Sequence, residues 1–176
     1  MDRFKEDIVV RRNPLLPNML YMACWFFLVA LGLYALVSLQ FVFIQFSVLS
    51  ILRTLIAAGS AVLLFLYKDE LKVEYEYTFT NGTLDFAKVL RSVRRKELGS
   101  MNVANLSACG HVAHSSFSRY LSMKEVERKN WFLNRDSNLF YFFYEKEGKR
   151  HLIVIEPSEE MVELIRPYLS AGVYQG

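Results

Sequence analysis

The sequence predicts an α+β membrane protein: a two-helix transmembrane hairpin followed by an antiparallel β barrel or sandwich with a C-terminal helix. Three observations predict it. No charged residue occurs in the forty positions from Asn13 to Leu52. From Val73 the pattern becomes strict alternation, with Val73, Tyr75, Tyr77 and Phe79 facing one way and Glu74, Glu76, Thr78 and Thr80 the other, the period of a half-buried strand. Near the end, Pro157-Ser158-Glu159-Glu160 carries the capping serine and first-turn acids of a helix start.

At 176 residues the chain has room for a membrane segment and one small domain. Its net charge of +3 averages two unlike parts, since every Lys, Arg, Asp and Glu except Arg53 lies before Asn13 or after Tyr67. Cys24 and Cys109 are too few and too far apart for a disulfide framework, which points the C-terminal half to a reducing compartment.

A hydrocarbon core of about 30 Å takes roughly 20 helical residues. Met19–Tyr67 is far too long for one span and suits two. The reading divides the chain into a cytoplasmic N-terminal segment (1–16), a hairpin (17–67) and a cytoplasmic domain (68–176). The spans fall at Pro17–Leu39 and Phe46–Tyr67, joined by a tight turn at Gln40–Gln45. Thr54–Tyr67 alone is too short to cross, so the second helix must begin before Arg53 and leave its guanidinium about two turns inside. From there it can snorkel to headgroups or pair with a partner.

Arg3, Lys5, Arg11 and Arg12 precede the first span, Lys68 and Lys72 follow the second, and the turn has no cation. By the positive-inside rule both termini are cytoplasmic, in a multi-pass protein of the inner (plasma) membrane, with Arg53 the one opposing charge. Tyr21, Trp25 and Tyr67 suit an aromatic belt at that face. The apolar run is too long for a cleaved signal peptide. Ala57 and Ala61, four apart, form a small-residue packing surface.

In the domain, Asn81-Gly82 suits a type I′ hairpin turn. Further strands are expected at Ser92–Leu98 and Asn102–His111, with a loop and a short helix or strand over 113–135. Leu139–Tyr144 and Leu152–Ile155 form a second hairpin. A final helix over about 158–170 buries Met161, Val162, Ile165 and Tyr168 or Leu169.

Six or seven short strands closed by one helix is the order of a pleckstrin-homology-like barrel. Two spans followed by Val73-Glu74-Tyr75-Glu76-Tyr77, Thr80–Asp85, the basic Arg94-Arg95-Lys96 strand and Glu156-Pro157 resemble a bacterial family of small two-span membrane proteins with a PH-like cytoplasmic domain. The resemblance covers almost the whole chain and implies a fold; its motifs are structural and bring no site residues.

Cys109, His111 and His114 are the one cluster of metal-ligand residue types, but structural zinc sites show two paired half-motifs and this has one. No metal and no cofactor is expected, and no catalytic residue. The densest basic cluster, Arg91, Arg94, Arg95 and Lys96, can contact anionic headgroups at about 1 kcal/mol each. Residues 68–176 carry 16 basic and 15 acidic side chains, too balanced a charge for nucleic acid. The reading is therefore a membrane-anchored interaction or scaffold module rather than an enzyme, partnered by the bilayer and by a protein or a second copy of itself. A metal-dependent enzyme or sensor using Cys109, His111 and His114, and an accessory subunit acting through the hairpin and Arg53, are the alternatives.

Overall fold

The computed structural model describes residues 3–44 and 46–175. The strands are β1 (Phe4–Val9), β2 (Val73–Thr80), β3 (Thr83–Leu90), β4 (Arg94–Asn102), β5 (Ala108–His111), β6 (Val126–Trp131), β7 (Phe140–Lys146) and β8 (Lys149–Ile155). The helices are α1 (Leu15–Ile44), α2 (Val48–Tyr67), α3 (Ser116–Leu121) and α4 (Glu159–Ile165). Contacts divide the chain into two compact units, Asn13–Val73 and a second one made from Glu74 onward together with the residues up to Arg12.

In the first unit α1 continues past Leu39, because Gln40-Phe41-Val42-Phe43-Ile44 contains no residue that stops a helix. The expected turn shrinks accordingly; Gln45, placed in it, lies outside the described residues. Both helices are long and apolar enough to cross a membrane, and 0% and 6% of their most apolar windows are buried, unlike the core helices of a soluble domain. Thr54 Oγ1 lies 2.9 Å from Ser38 Oγ, linking the helices, and Ala57 is buried as the small-residue cluster predicts. At the other end Lys68 is only 4% exposed. It donates to the Phe65 carbonyl at 3.0 Å, lies 3.5 Å from Asp69 Oδ1, and sits over the Phe65 and Trp25 rings.

The second unit is a two-sheet sandwich with orders β1-β2-β3-β4 and β5-β7-β8-β6. The first sheet is an antiparallel meander whose opening connection, between β1 and β2, contains the whole helical hairpin. Residues 4–9 of the expected N-terminal segment are therefore a strand of this sheet. Phe4 pairs with Thr80 and Val9 with Tyr75, so the strands that precede and follow the hairpin in the chain are neighbours in one sheet.

The two sheets bury their faces differently, and this explains their patterns. Tyr77, Phe79, Leu84 and Phe86 meet Phe140, Phe142, Ile153 and Ile155 in the core, closed by Met161, Val162 and Ile165 of α4. The other face of the second sheet packs Tyr141, Phe143, Leu152 and Val154 against Tyr120 of α3. A sheet covered on both faces reads as continuous apolar runs, and one covered on a single face alternates.

Four expectations need correction. The strands expected at Ser92–Leu98 and Asn102–His111 run instead over Arg94–Asn102 and Ala108–His111, with a 3-10 turn at Val103–Asn105 between them. The Asn102 side chain caps that turn by accepting from the Ala104 amide. The all-antiparallel expectation fails at β6, which is parallel to β8: β6 is the return partner of β7 in direction but lies beside β8. No closed barrel forms, because the sheets end separately in β4 and β6. The last helix is shorter than 158–170, giving way to a 3-10 turn at Arg166–Tyr168.

Candidate functional site

The basic cluster sits at the β3–β4 turn. Arg91 and Ser92 both have φ of 55°, a left-handed conformation costly for residues with side chains, and Val93 at the tip is 85% exposed. The four cations do not act as one patch. Arg95 Nε pairs with Glu76 Oε2 at 3.0 Å, while Arg94 and Lys96 stay exposed on the strand. Ser92 Oγ donates to Glu74 Oε1 at 2.7 Å, tying the tip to the start of β2.

Cys109, His111 and His114 do not converge. Cys109 is in the core, where burial pushes its thiol up to about 12. The His111 ring meets Phe140 edge-on, and His114 Nδ1 is 2.8 Å from Ser116 Oγ. Among the described residues no three His, Cys, Asp or Glu side chains are grouped to hold a metal. Cys109 has a structural partner instead. Its amide donates to the Val173 carbonyl and its carbonyl accepts from Gln175, so the C-terminal segment covers the outer edge of β5. Gly110 permits this approach, since a Cβ there would lie 2.1 Å from the Gln175 carbonyl oxygen.

A concave feature that sequence reasoning missed is a cleft of about 370 Å³ where the sandwich fails to close between β4 and β6. Phe86, Trp131 and Ile153 lie at its base, with Glu127, Lys129, Tyr144 and His151 around it. The Trp131 ring is 4.8 Å from Phe86. Lys129 bonds Glu127 at 3.1 Å, which, with the charges of Lys129 and His151, holds the Glu127 carboxyl below its ordinary range. His151 stacks on Tyr144 at 5.0 Å, and its Nδ1 lies 3.3 Å from Glu127 Oε2 without hydrogen-bond alignment. Burial raises the Tyr144 hydroxyl.

One wall of the cleft is irregular. Phe86 pairs with Gly99 but Ala87 with Glu97, so Leu98 is an extra residue in β4. This bulge uses Gly99 at φ 150°, a conformation open mainly to glycine. Bulges re-aim side chains and interrupt pairing at sheet edges. Glu127, Lys129 and Trp131 recur at a spacing of two, and that period was the available signal for this wall. The few apolar residues of β6 hid it.

A polar clamp, also unforeseen, joins the N-terminal segment to the domain. Asp7 accepts from both the amide and hydroxyl of Ser158, at 2.7 and 3.0 Å, while Ser158 Oγ caps α4 by accepting from the Met161 amide. Lys5 bonds Glu160. Asn134, nearly buried, donates to the Val10 carbonyl and to Glu156 and accepts from the Arg12 amide.

Arg53 stands apart in the helical unit. It lines a smaller cavity of about 250 Å³ with Tyr34, Val37, Ser38, Phe41 and Ser50. It lies five residues into α2, about a turn and a half from the helix start rather than two.

No curated protein and no solved structure matches the chain. A family described as a bacterial PH-like domain matches residues 1–175, both halves of the first sheet and the hairpin between them included. The chain belongs to this bacterial PH-like domain family (DUF6106).

Proposed function

We propose that the protein is a membrane-anchored interaction module. Two helices hold the PH-like domain at the inner face of the plasma membrane, both termini cytoplasmic, and the domain binds a protein segment there. The observation that carries the reading is the open flank of the sandwich. There, two sheets end beside an aromatic-based cleft, and an edge strand offers unpaired backbone groups to an extended peptide while the pocket takes a side chain. The reading assigns no catalytic act. A buried thiol with its pKa pushed up to about 12 is a poor nucleophile, which weighs against the enzyme alternative.

A photo-crosslinking residue at Ser100, on the exposed edge of β4, tests it in native membranes. A discrete protein adduct that disappears when Trp131→Ala is added supports the reading. An unchanged adduct, or none, overturns it. Reporter fusions at Asn18, Gln45 and Gly176 test orientation, with inside, outside and inside expected. An outside signal at Gly176 reverses the assignment.

A second reading rests on the exposed Val93 between Arg91 and Arg94. An apolar tip flanked by cations suits an anionic bilayer surface. A fluorophore at Val93→Cys should shift blue in phosphatidylglycerol nanodiscs and not in phosphatidylcholine ones.

A further inference from the structure

Arg53 carries a charge that its own chain cannot balance with an acid. No Asp or Glu occurs between Asp7 and Asp69, so neither hairpin helix offers a carboxylate. A second copy docked through the same helices offers none either. Burying an unpaired charge in a bilayer is costly, and such residues are kept near a counter-ion or a polar surface. The contrast with Lys68 is direct: that cation has a carbonyl, a carboxylate and two rings about it from its own chain.

The surroundings of Arg53 define what could balance it. The guanidinium shares a cavity of about 250 Å³ with Tyr34, Val37, Ser38, Phe41 and Ser50. Three hydroxyls nearby already have partners: Ser38 donates to the Ala35 carbonyl, Ser50 to the Ser47 carbonyl, and Thr54 lies within bonding distance of Ser38 and of the Ser50 carbonyl. The donors that line the cavity and remain for a guest are therefore the guanidinium and the Tyr34 phenol. Val37 and Phe41 supply an apolar wall beside them. Five residues from the start of α2, Arg53 lies about 7.5 Å along the helix axis from that end, a depth from which its side chain reaches headgroup level.

Resting on the membrane-anchored reading, we propose that this cavity is a binding site for the phosphate of an anionic phospholipid in the leaflet at the turn end of the hairpin. The guanidinium forks onto two phosphate oxygens, Tyr34 donates to the phosphodiester, and an acyl chain lies along Val37 and Phe41. The phosphate belongs to a lipid because the apolar wall and the depth favour one over the free ion.

The test uses the full chain, purified in mild detergent, stripped of lipid and titrated with phosphatidylglycerol while bound lipid is counted by native mass spectrometry. The wild type should retain one lipid. Arg53→Gln should weaken retention on the order of ten- to a hundred-fold, the loss of a charge-assisted pair, and Tyr34→Phe should weaken it several-fold. Equal retention by Arg53→Gln overturns the site. Displacement by equimolar inorganic phosphate overturns the lipid assignment in favour of a free anion. With Arg53 kept, a photo-crosslinker at Phe41, which lines the same cavity, that labels a protein and no lipid in native membranes overturns it in favour of a partner carboxylate. Carbonate extraction separates this from the reading beneath it: Arg53→Gln should stay in the membrane pellet, whereas release of the wild type would remove the anchor itself.

Discussion

The two units use the same side chains in opposite ways. Phe26, Phe27 and Phe43 of the hairpin are each more than half exposed, while Phe79, Phe140 and Phe142 of the domain are at 1% or less. In the domain, tertiary packing removes the ring from water. In the hairpin the chain itself does not, and on the membrane-anchored reading proposed above the bilayer does. Stability therefore depends on internal complementarity in one unit and on the solvent in the other, and substitutions should separate them.

The largest effect is expected at Ile165, 1% exposed on the buried face of α4. Ile165→Asp sets an unpaired charge in a core whose total stability is about 5–15 kcal/mol. It should abolish the cooperative melt and the β-type circular dichroism while the hairpin remains carbonate-resistant. Deleting Ser158–Gly176 should do the same. A retained melt after either change would make α4 an appendage and its apolar face a candidate partner stripe.

Next comes a matched pair. Phe142→Ala should cost the domain about 3–5 kcal/mol in a urea melt. Phe27→Ala should leave that melt unchanged and insertion intact, because the ring contact it removes, with Phe26, lies within the hairpin. Equal losses would dissolve the distinction between the units.

The clamp between β1 and α4, within the domain, is the third test. Asp7→Ala removes both acceptors of Ser158 and loosens the α4 cap, at about 1–3 kcal/mol by urea melt. The smallest effect concerns Cys109. Its thiol is raised, so the folded state holds a proton that the unfolded chain gives up at ordinary thiol pKa. The associated stability is present below that range and is lost as pH rises toward about 12. In a Cys24→Ser background, maleimide should label Cys109 only after unfolding; fast labelling of the native protein at pH 8 would place the thiol outside the core.

Much of the architecture was legible because its signals are local. Forty uncharged positions, the alternation from Val73, the Asn81-Gly82 turn and the Ser158 cap each occupy one short window. The same holds for the apolar face of α4, where Met161, Val162 and Ile165 are all buried as their spacing indicated. The cleft was not legible. Glu127, Lys129 and Trp131 come from one strand, Tyr144 and His151 from two others and Phe86 from the opposite sheet, so no window contains the site.

The sequence by itself determined that this chain has two apolar helices, a β domain of short strands and a capping helix, because hydrophobic period and turn chemistry act between near neighbours. Only the tertiary structure decided that residues 4–9 complete the domain's first sheet, across more than sixty intervening residues. Phe4-Lys5-Glu6-Asp7-Ile8-Val9 shows little of this, because an edge strand is held by backbone hydrogen bonds to its neighbour and leaves Phe4 and Ile8 exposed. Backbone bonds are blind to side-chain identity. The placement of β6 beside β8 and the failure of the sheets to close follow from the same physics, with the partner set by which edge remains free once the core has packed.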